Sequence, residues 1–428
     1  MNETRLAGAK TAEHWFSLPL DYSDPDGPAI KVFAREVWAA DKMRESLPML
    51  VFFQGGPGFG ALRPLGRSGW LDRALEEFRV LLLDQRGTGR SSPIHAGALA
   101  PLSPDRQFHY LCQHRADNIV RDAEAIRRQL LGERPWSILG QSFGGFCVLR
   151  YLSAAHRGLK EAYITGGIPS LVRSADEVYR ATFLRVAQKN QAFFSRFPGA
   201  QALADRIAAH LSANEVRLPD GARLTVERFQ LLGIHLGMEE GPEALYYLME
   251  QALLPGPSGE TLNPLFLHGV MQMLDYDTNP IFSLLHEPIY NQGRASRWAA
   301  HRIRQEYPEF GYRPDRPLKF TGEMIFPWMF DQFEGLKPMA SLARRLAEHE
   351  AWPPLYDLGQ LASNPVPTAA AVYTGDMFVE QAYSEETIEQ VANLTAWRTS
   401  EYEHNGIRMD GYRILDRLID LNRQRRLR

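Results

Sequence analysis

Residues 140–144, with the sequence GQSFG, form a G-x-S-x-G motif that is followed by another glycine. An apolar run, Trp136–Leu139, precedes the motif, and a helix-compatible run follows it. This strand–turn–helix setting is typical of a nucleophile elbow, in which a tight turn exposes a serine hydroxyl at the carboxyl edge of a sheet. We therefore predict that Ser142 is a catalytic nucleophile. The alternative is an ordinary glycine-rich turn.

A serine hydroxyl becomes a good nucleophile when a histidine removes its proton and an acid orients that histidine. In the elbow architecture these partners follow in the order serine, acid, histidine. His404 is the one histidine in the sequence after His349, and we predict that it follows a strand at Thr399–Tyr402. We assign His404 as the general base, against the alternative of a histidine in a surface loop.

The acid should lie directly after an earlier strand of the same sheet. Asp376 follows the apolar run Thr368–Tyr373, and the stretch between it and His404 has room for one helix. Asp357 precedes that run and Asp410 follows the histidine, so both are worse placed. We predict that Asp376 is the third member of the triad, against the alternative of a helix cap or turn residue.

Catalysis by a serine also needs donors for the oxyanion that develops on the substrate. One should be the backbone N–H after the nucleophile, at Phe143. The second should come from the glycine-rich loop Gln54–Gly58, which follows the apolar run Met49–Phe53. We assign it to the backbone of Gly56, because glycines let a backbone N–H approach an oxyanion closely.

The elements around these motifs alternate between strand and helix. Met49–Phe53, Val80–Leu83 and Ala162–Thr165 are short apolar runs typical of strands buried on both faces, and Ala116–Leu131 has the apolar spacing of a helix. This alternation predicts an α/β protein with a mostly parallel central sheet.

The middle of the chain has long helical stretches separated by Pro- and Gly-rich loops, the clearest of which is Leu254–Pro264. We predict a sheet domain interrupted by a helical cap. The first part of the core takes residues 1–170, the cap residues 171–362, and the second part of the core, with the acid and the histidine, residues 363–428.

Composition excludes several functional classes. With 48 basic and 51 acidic residues the formal charge is −3, so we expect no nucleic-acid partner. No apolar run reaches the length of a membrane span or of an export signal, and there are two cysteines, which favours a cytoplasmic protein. No HExxH, paired CxxC or GxxxxGK[ST] motif occurs, so we expect neither a metal nor another cofactor.

Three motifs together resemble a known family. They are QGGPGFG at residues 54–60, DQRGTGRS at residues 84–91 and the GQSFGG elbow at residues 140–145. In order and spacing they resemble those of the proline iminopeptidases, which belong to the α/β-hydrolase superfamily. Gln54 stands where that family usually has histidine, and we expect this difference to retune the loop without abolishing catalysis. The resemblance implies an α/β-hydrolase fold and a serine aminopeptidase that releases N-terminal proline from peptides.

Such a substrate carries a cationic nitrogen, which is costly to bury without a carboxylate. We therefore expect the cap to provide an acid beside an apolar slot. The candidates are Glu287 and Glu323, with Tyr290 and Trp328 among the nearby aromatic residues. The alternative for each glutamate is a helix cap or a salt bridge.

Two other functions remain open from the sequence. An esterase or amidase acting on a small molecule would share the triad but would not need an acidic anchor. A binding protein with vestigial catalysis is disfavoured by the intact set Ser142, Asp376 and His404. Self-association is compatible with the sequence.

Overall fold

The computed structural model describes residues 3–256, 259–274 and 276–423. Its largest feature is a nine-stranded sheet with the strand order β1-β2-β3-β5-β4-β6-β7-β10-β11, and β8 and β9 form a separate hairpin. The strands are β1 Glu3–Leu6, β2 Ala9–Pro19, β3 Ala29–Ala39, β4 Met49–Phe53, β5 Arg79–Leu83, β6 Trp136–Gln141, β7 Leu159–Thr165, β8 Leu253–Gly256, β9 Gly259–Leu262, β10 Thr368–Tyr373 and β11 Leu394–Thr399.

The sheet is antiparallel at its first edge and parallel elsewhere. Pairs β1–β2, β2–β3 and β3–β5 are antiparallel, whereas every pair from β5 through β4, β6, β7 and β10 to β11 is parallel. Strands β4, β6 and β10 are buried along their whole length, as their apolar sequences predict. The prediction of a mostly parallel central sheet is confirmed.

Helices cover both faces of the sheet and fill the long connection between β7 and β10. Short 3₁₀ turns supplement them. The α-helices are α1 Gly69–Leu75, α2 Ala96–Leu99, α3 Pro104–Cys112, α4 Ala116–Leu131, α5 Phe143–Ala155, α6 Ala175–Arg196, α7 Ala200–Ala213, α8 Val226–Gln230, α9 Gly241–Glu250, α10 Pro264–Met273, α11 Pro280–Leu285, α12 Ala299–Ile303, α13 Met329–Gln332, α14 Ala340–Ala347, α15 Leu358–Ala362, α16 Gln381–Gln390, α17 Gly406–Met409 and α18 Gly411–Asn422.

Each face of the sheet packs its own apolar cluster. On one face, side chains such as Val51 and Ile138 contact helices α4 and α5. On the other face, residues such as Leu50 and Leu139 pack with α1 and α18. Because alternate residues of a strand point to opposite faces, neighbouring positions of one buried strand contribute to different clusters. This double coverage holds the carboxyl ends of β4, β6, β10 and β11 in fixed positions.

The connection between β7 and β10 has a third apolar cluster, built mainly from its own helices. The last part of this connection packs elsewhere: Leu355, Tyr356 and Leu361 belong to the apolar cluster of the sheet face that α4 and α5 cover. We propose that the chain is divided into core, cap and core as the sequence suggests. We also propose that the cap ends before Leu355, earlier than the boundary at residue 362.

Two local predictions from the sequence are wrong. The strand expected at Thr399–Tyr402 lies earlier, at Leu394–Thr399, and all its residues except Thr399 are partly buried or exposed because it is an edge strand. The loop expected at Leu254–Pro264 contains the hairpin of β8 and β9, whose strands are mostly exposed; residues 257 and 258 between them lie outside the described residues. In both places solvent exposure removes the apolar pattern that marks a buried strand.

The buried side chain of Arg115 is one connection between the core and the cap. Arg115 precedes α4, is 1% exposed, and donates hydrogen bonds to the carbonyl oxygens of Pro288 at 3.0 Å and Asn291 at 2.6 Å. It also donates to Pro353 O at 2.9 Å, and its guanidinium lies 4.5 Å from the Trp352 ring centroid. The carbonyl groups of Pro288, Asn291 and Pro353 therefore depend on one side chain for these hydrogen bonds.

We predict that Arg115→Met lowers the free energy of unfolding by about 2–4 kcal/mol, because buried carbonyl groups lose their donors. Urea denaturation followed by circular dichroism measures the change. Arg157→Met is the matched control, since Arg157 is exposed on the core. A loss within about 0.5 kcal/mol of the control's would contradict the connecting role of Arg115.

Candidate active site

Ser142 occupies a strained turn between β6 and α5. Its backbone has φ 54° and ψ −125°, which non-glycine residues rarely adopt. The Ser142 N–H donates to Thr165 O at 3.0 Å, and the Ser142 carbonyl accepts from Gly145 N at 2.7 Å. As the first residue of α5, Phe143 has a backbone N–H without an acceptor inside the helix. This is the elbow geometry that the sequence predicts.

The small residues around Ser142 are required by close packing of the backbone. A Cβ atom on Gly144 would lie 2.1 Å from the carbonyl oxygen of Phe53 at the end of β4. A Cβ atom on Gly145 would lie 2.2 Å from Gly167 O, which follows β7. The start of α5 therefore fits between β4 and β7 only because these two positions have no side chain.

Asp376 and His404 form a direct hydrogen bond between Asp376 Oδ2 and His404 Nδ1, 2.7 Å long. The other carboxylate oxygen of Asp376 accepts from the backbone N–H groups of Phe378 at 2.8 Å and Val379 at 3.1 Å. The Phe378 ring also packs against the imidazole, with 4.6 Å between ring centroids. The acid and the imidazole ring are thus both held in place.

The glycine-rich loop after β4 lies against the elbow. A Cβ atom on Gly55 would be 2.8 Å from Ser142 Cβ, and Gly56 has a φ of 133° that favours glycine. Gln54 is buried, and its carbonyl accepts from Gln85 Nε2 at 3.0 Å. The predicted oxyanion donors therefore come from two loops in contact, at Gly56 and at the start of α5.

Asp84, from the DQRGTGRS segment, braces this loop. Its carboxylate accepts from Ala61 N at 3.0 Å and from Arg90 N at 2.8 Å, and it pairs with Arg63 Nη1 at 2.9 Å. Asp84 is fully buried, so the two loops are joined by charge-assisted hydrogen bonds in the interior. Its position supports a structural role.

A cavity of about 530 Å³ opens above the elbow. Ser142, His404 and Gly56 line it together with Glu323 from the cap. Apolar side chains form much of the remaining wall: Phe59, Leu62, Ile234, Met238, Met273, Phe282 and Phe378. The size and mostly apolar lining with a few polar groups are those of a small-molecule site.

Glu323 is the acid that the cap contributes to this cavity. Burial, with a smaller contribution from the charge of Asp376, raises the pKa of its carboxyl to about 8. Its ion contact within 4.0 Å is with His286, at 3.8 Å between Glu323 Oε2 and His286 Nε2. Burial lowers the pKa of His286 to about 3, so this histidine is neutral and does not balance a carboxylate. A cationic ligand would balance the charge of the Glu323 carboxylate.

The structure does not bring the other predicted substrate contacts to the cavity. Glu287 caps the start of α12, accepting from Ala299 N at 3.1 Å and Ala300 N at 3.0 Å. Tyr290 packs edge-on against Phe146 of the core, and Trp328 stacks on Phe326. None of the three lines the cavity, and the alternative of a helix-cap glutamate describes Glu287.

Sequence reasoning missed several residues of the cavity wall. Among them are apolar cap residues such as Met238 and Met273, which in the sequence look like ordinary helix-core residues. Arg408 also lines the cavity, and its position four residues after His404 is a signal that could have identified it.

The described part of the chain has no cluster of three or more metal-ligating side chains. Within the same residues, no helix is both long and apolar enough to cross a bilayer. A serine, an imidazole held by a carboxylate and two backbone donors can carry out acyl transfer.

Known proteins are similar to this chain in sequence. Residues 48–252 match the model of the alpha/beta hydrolase fold family. A proline iminopeptidase from Aeromonas sobria is 56% identical over 419 residues, which cover 98% of each chain. Another from Aspergillus aculeatus is 34% identical over 430 residues, covering 97% of this chain and 94% of that one.

Among solved structures, a proline iminopeptidase from Mycobacterium smegmatis aligns with 96% of this chain and 98% of its own, at 13% identity and a TM-score of 0.46. The two sequence relatives cover nearly the whole chain. The α/β-hydrolase fold expected from the motifs is confirmed. The chain belongs to the proline iminopeptidase family of α/β hydrolases.

Proposed function

We propose that the protein is a serine aminopeptidase that releases N-terminal proline from peptides through an acyl-enzyme intermediate. One observation carries this proposal: Glu323, an acid without a cationic partner among the described residues, shares a cavity with Ser142 and with His404, which is hydrogen-bonded to Asp376. An acyl-transfer site with an anionic anchor suits a substrate that has a cationic amine next to its scissile carbonyl.

In the first half of the reaction, Ser142 Oγ attacks the proline carbonyl carbon while His404 Nε2 takes the hydroxyl proton. Asp376 accepts the Nδ1–H of His404, at 2.7 Å, and so fixes the tautomer that leaves Nε2 able to accept. The negative charge that develops on the carbonyl oxygen is stabilised by the backbone N–H groups of Phe143 and Gly56.

In the second half, His404 gives its proton to the nitrogen of the leaving peptide, and the C–N bond breaks. The prolyl group then remains esterified to Ser142. A water molecule, deprotonated by His404, attacks the ester carbonyl, and proline leaves as the serine hydroxyl is restored. Each proton that His404 accepts is returned in the following step, so the cycle is balanced.

The proline nitrogen lies two bonds from the carbonyl carbon that is attacked. We propose that Glu323 binds this cationic nitrogen and so places the carbonyl over Ser142. Burial raises the pKa of Glu323 because its charge is unbalanced, and an ammonium group would supply the missing balance. Phe282 and Phe378 in the same wall offer apolar surface to the proline ring.

The alternative of an esterase or amidase for a small molecule is not favoured. Relatives that match nearly the whole chain are named proline iminopeptidases. An uncharged ester also gives no reason for an acid at Glu323. We further propose a cytoplasmic location, which suits the free thiols of Cys112 and Cys147.

Asp376→Asn should lower kcat by about 10⁴, because the amide favours the wrong tautomer of His404. Initial rates of proline 2-naphthylamide hydrolysis measure the loss. Asp410→Asn is the matched control, since Asp410 accepts a hydrogen bond from Tyr402 at 2.6 Å and does not line the cavity. If the two variants had equal defects, the choice of Asp376 would be wrong.

Glu323→Gln should weaken the hydrolysis of proline 2-naphthylamide selectively, by about 2–5 kcal/mol in kcat/KM, because the buried ammonium loses its partner. Nitrophenyl acetate, which has no amine, serves as the reference substrate, and the ratio of the two activities cancels general damage. Glu287→Gln is the control, since Glu287 lies outside the cavity wall. A parallel loss of both activities in Glu323→Gln would make Glu323 a structural residue and would remove the support that the cavity gives to an aminopeptidase.

The ratio of proline 2-naphthylamide hydrolysis to nitrophenyl acetate hydrolysis should depend on pH. In the ion pair the amine is protonated and the Glu323 carboxyl is not, so the pair holds one proton. Burial raises the pKa of the Glu323 carboxyl to about 8, and an α-amino group titrates near ~7.7–8.0. Below about pH 8 the two separate groups therefore hold two protons together. One proton must then be released on binding, so the ratio should fall about tenfold per pH unit well below pH 8.

Above both pKa values a proton must instead be taken up, so the ratio should fall again and be greatest near pH 8. Rates of both substrates from about pH 6 to 10 measure this profile. Glu323→Gln should lose the decline on the acid side, because no carboxyl proton has to leave. A flat ratio between about pH 6 and 8 in the wild-type protein would contradict the assignment.

A further inference from the structure

Arg408 is a second charged side chain in the wall of the cavity, and the triad chemistry does not use it. It lies in α17, directly after the His404 turn, and is partly exposed to solvent. It also lines a small side cleft of about 30 Å³, which shares Gln54, Leu62 and Gln141 with the main cavity. Leu62 is 61% exposed, so this part of the wall is the mouth.

The guanidinium of Arg408 has no acidic partner within 4.0 Å among residues 3–256, 259–274 and 276–423. Partial burial lowers its pKa, and the opposing charge of Glu240 compensates only in part. Glu240 itself is engaged with Asn405, whose Nδ2 donates to Glu240 Oε2 at 2.8 Å. Arg413, in the following helix, has an ordinary surface pair with Glu401 at 2.8 Å.

The position of Arg408 relative to His404 indicates which part of a substrate it meets. The Arg408 N–H donates to Asn405 O at 2.8 Å, so the chain between His404 and Arg408 is a compact turn. His404 is the group that protonates the leaving nitrogen in the mechanism above. A side chain beside it at the mouth therefore faces the leaving peptide, whereas Glu323 faces the proline.

We propose that Arg408 is a specificity-determining residue that binds a carboxylate on the residue released after proline, above all the free C-terminal carboxylate of a prolyl dipeptide. This inference rests on the proposed function. In an extended peptide that carboxylate lies about one residue, ~3.5 Å, beyond the scissile nitrogen. Arginine presents a planar fork of donors that matches a carboxylate.

The two charges of the cavity act on different ends of such a substrate. Asp376 is the charged group that acts on Glu323, and Glu240 is the one that acts on Arg408, so the acid and the guanidinium do not pair with each other. A short prolyl peptide is a zwitterion with its cation at the proline end and its anion at the other. The cavity has the complementary arrangement.

The test compares Pro-Gly with Pro-Gly amide, which differ only in the terminal carboxylate. Wild-type protein should have a kcat/KM for the free acid about tenfold above that for the amide, mainly through a lower KM. Arg408→Gln should bring the ratio close to one, and Arg408→Lys, which keeps the charge, should retain part of the preference. High salt should reduce the wild-type preference, since the pair lies at the mouth.

Arg413→Gln is the matched control and should leave the ratio as in the wild type, because Arg413 lies outside the cavity wall. Pro-Asp amide separates the two sources of a carboxylate. If its kcat/KM equals that of Pro-Gly amide, Arg408 binds the C-terminal carboxylate. If its kcat/KM equals that of Pro-Gly, Arg408 binds a carboxylate of either kind. Both results support the proposal.

Equal kcat/KM values for Pro-Gly and Pro-Gly amide in the wild-type protein would overturn the inference. An unchanged preference for Pro-Gly in Arg408→Gln would also overturn it. A purely structural role of Arg408 would lower both rates together and leave their ratio unchanged. Failure to release proline from any of these substrates would instead overturn the proposed function, so the two failures are distinguishable.

Discussion

The site depends on how closely three backbone segments approach one another at Ser142. The strained conformation of this residue costs about 1–3 kcal/mol. It is held by the hydrogen bond from its N–H to Thr165 and by the start of α5, which packs against Phe53 O and Gly167 O where Gly144 and Gly145 leave room. Strand β6 must therefore lie between β4 and β7, as it does.

Once that central arrangement is set, the positions of the other groups follow from the sheet. The glycine-rich loop Gln54–Gly58 comes from the carboxyl end of β4, beside β6, and Asp376 and His404 follow β10 and β11 on the other side. Carboxyl ends of parallel strands meet at one edge, which is where α/β proteins bind their ligands. Residues far apart in sequence, such as Gly56 and His404, thus line one cavity.

The sequence predicted most of the core because its strands are buried on both faces. Met49–Phe53 and Thr368–Tyr373 are uninterrupted apolar runs, and both were predicted with their observed bounds. The edge strand β11 was displaced by several residues, because its exposed side carries polar side chains. The triad could be inferred by chain order, since each candidate follows a strand, and the hydrogen bond between Asp376 and His404 fits that inference.

The cap was harder to predict, because its acids look alike in sequence. Glu287 and Glu323 both lie among aromatic residues, and the difference between them is tertiary: backbone N–H groups of Ala299 and Ala300 take up the Glu287 carboxylate. No local pattern at Glu287 shows that a helix begins beside it. Arg408 was missed for the opposite reason, since exposed arginines are common and its spacing of four residues after His404 gains meaning only once the shape of the cavity is known.

Glu323, in the cavity wall, and Asp376, buried behind His404, differ in how fully the protein satisfies their carboxylates. Asp376 accepts hydrogen bonds from His404, Phe378 and Val379, so its oxygens are occupied before any substrate arrives. Glu323 has a neutral histidine at 3.8 Å, and burial raises its pKa. An incoming cation therefore gains most by pairing with Glu323. A cationic substrate would then pair with Glu323 at the cavity wall without competing with His404 for Asp376.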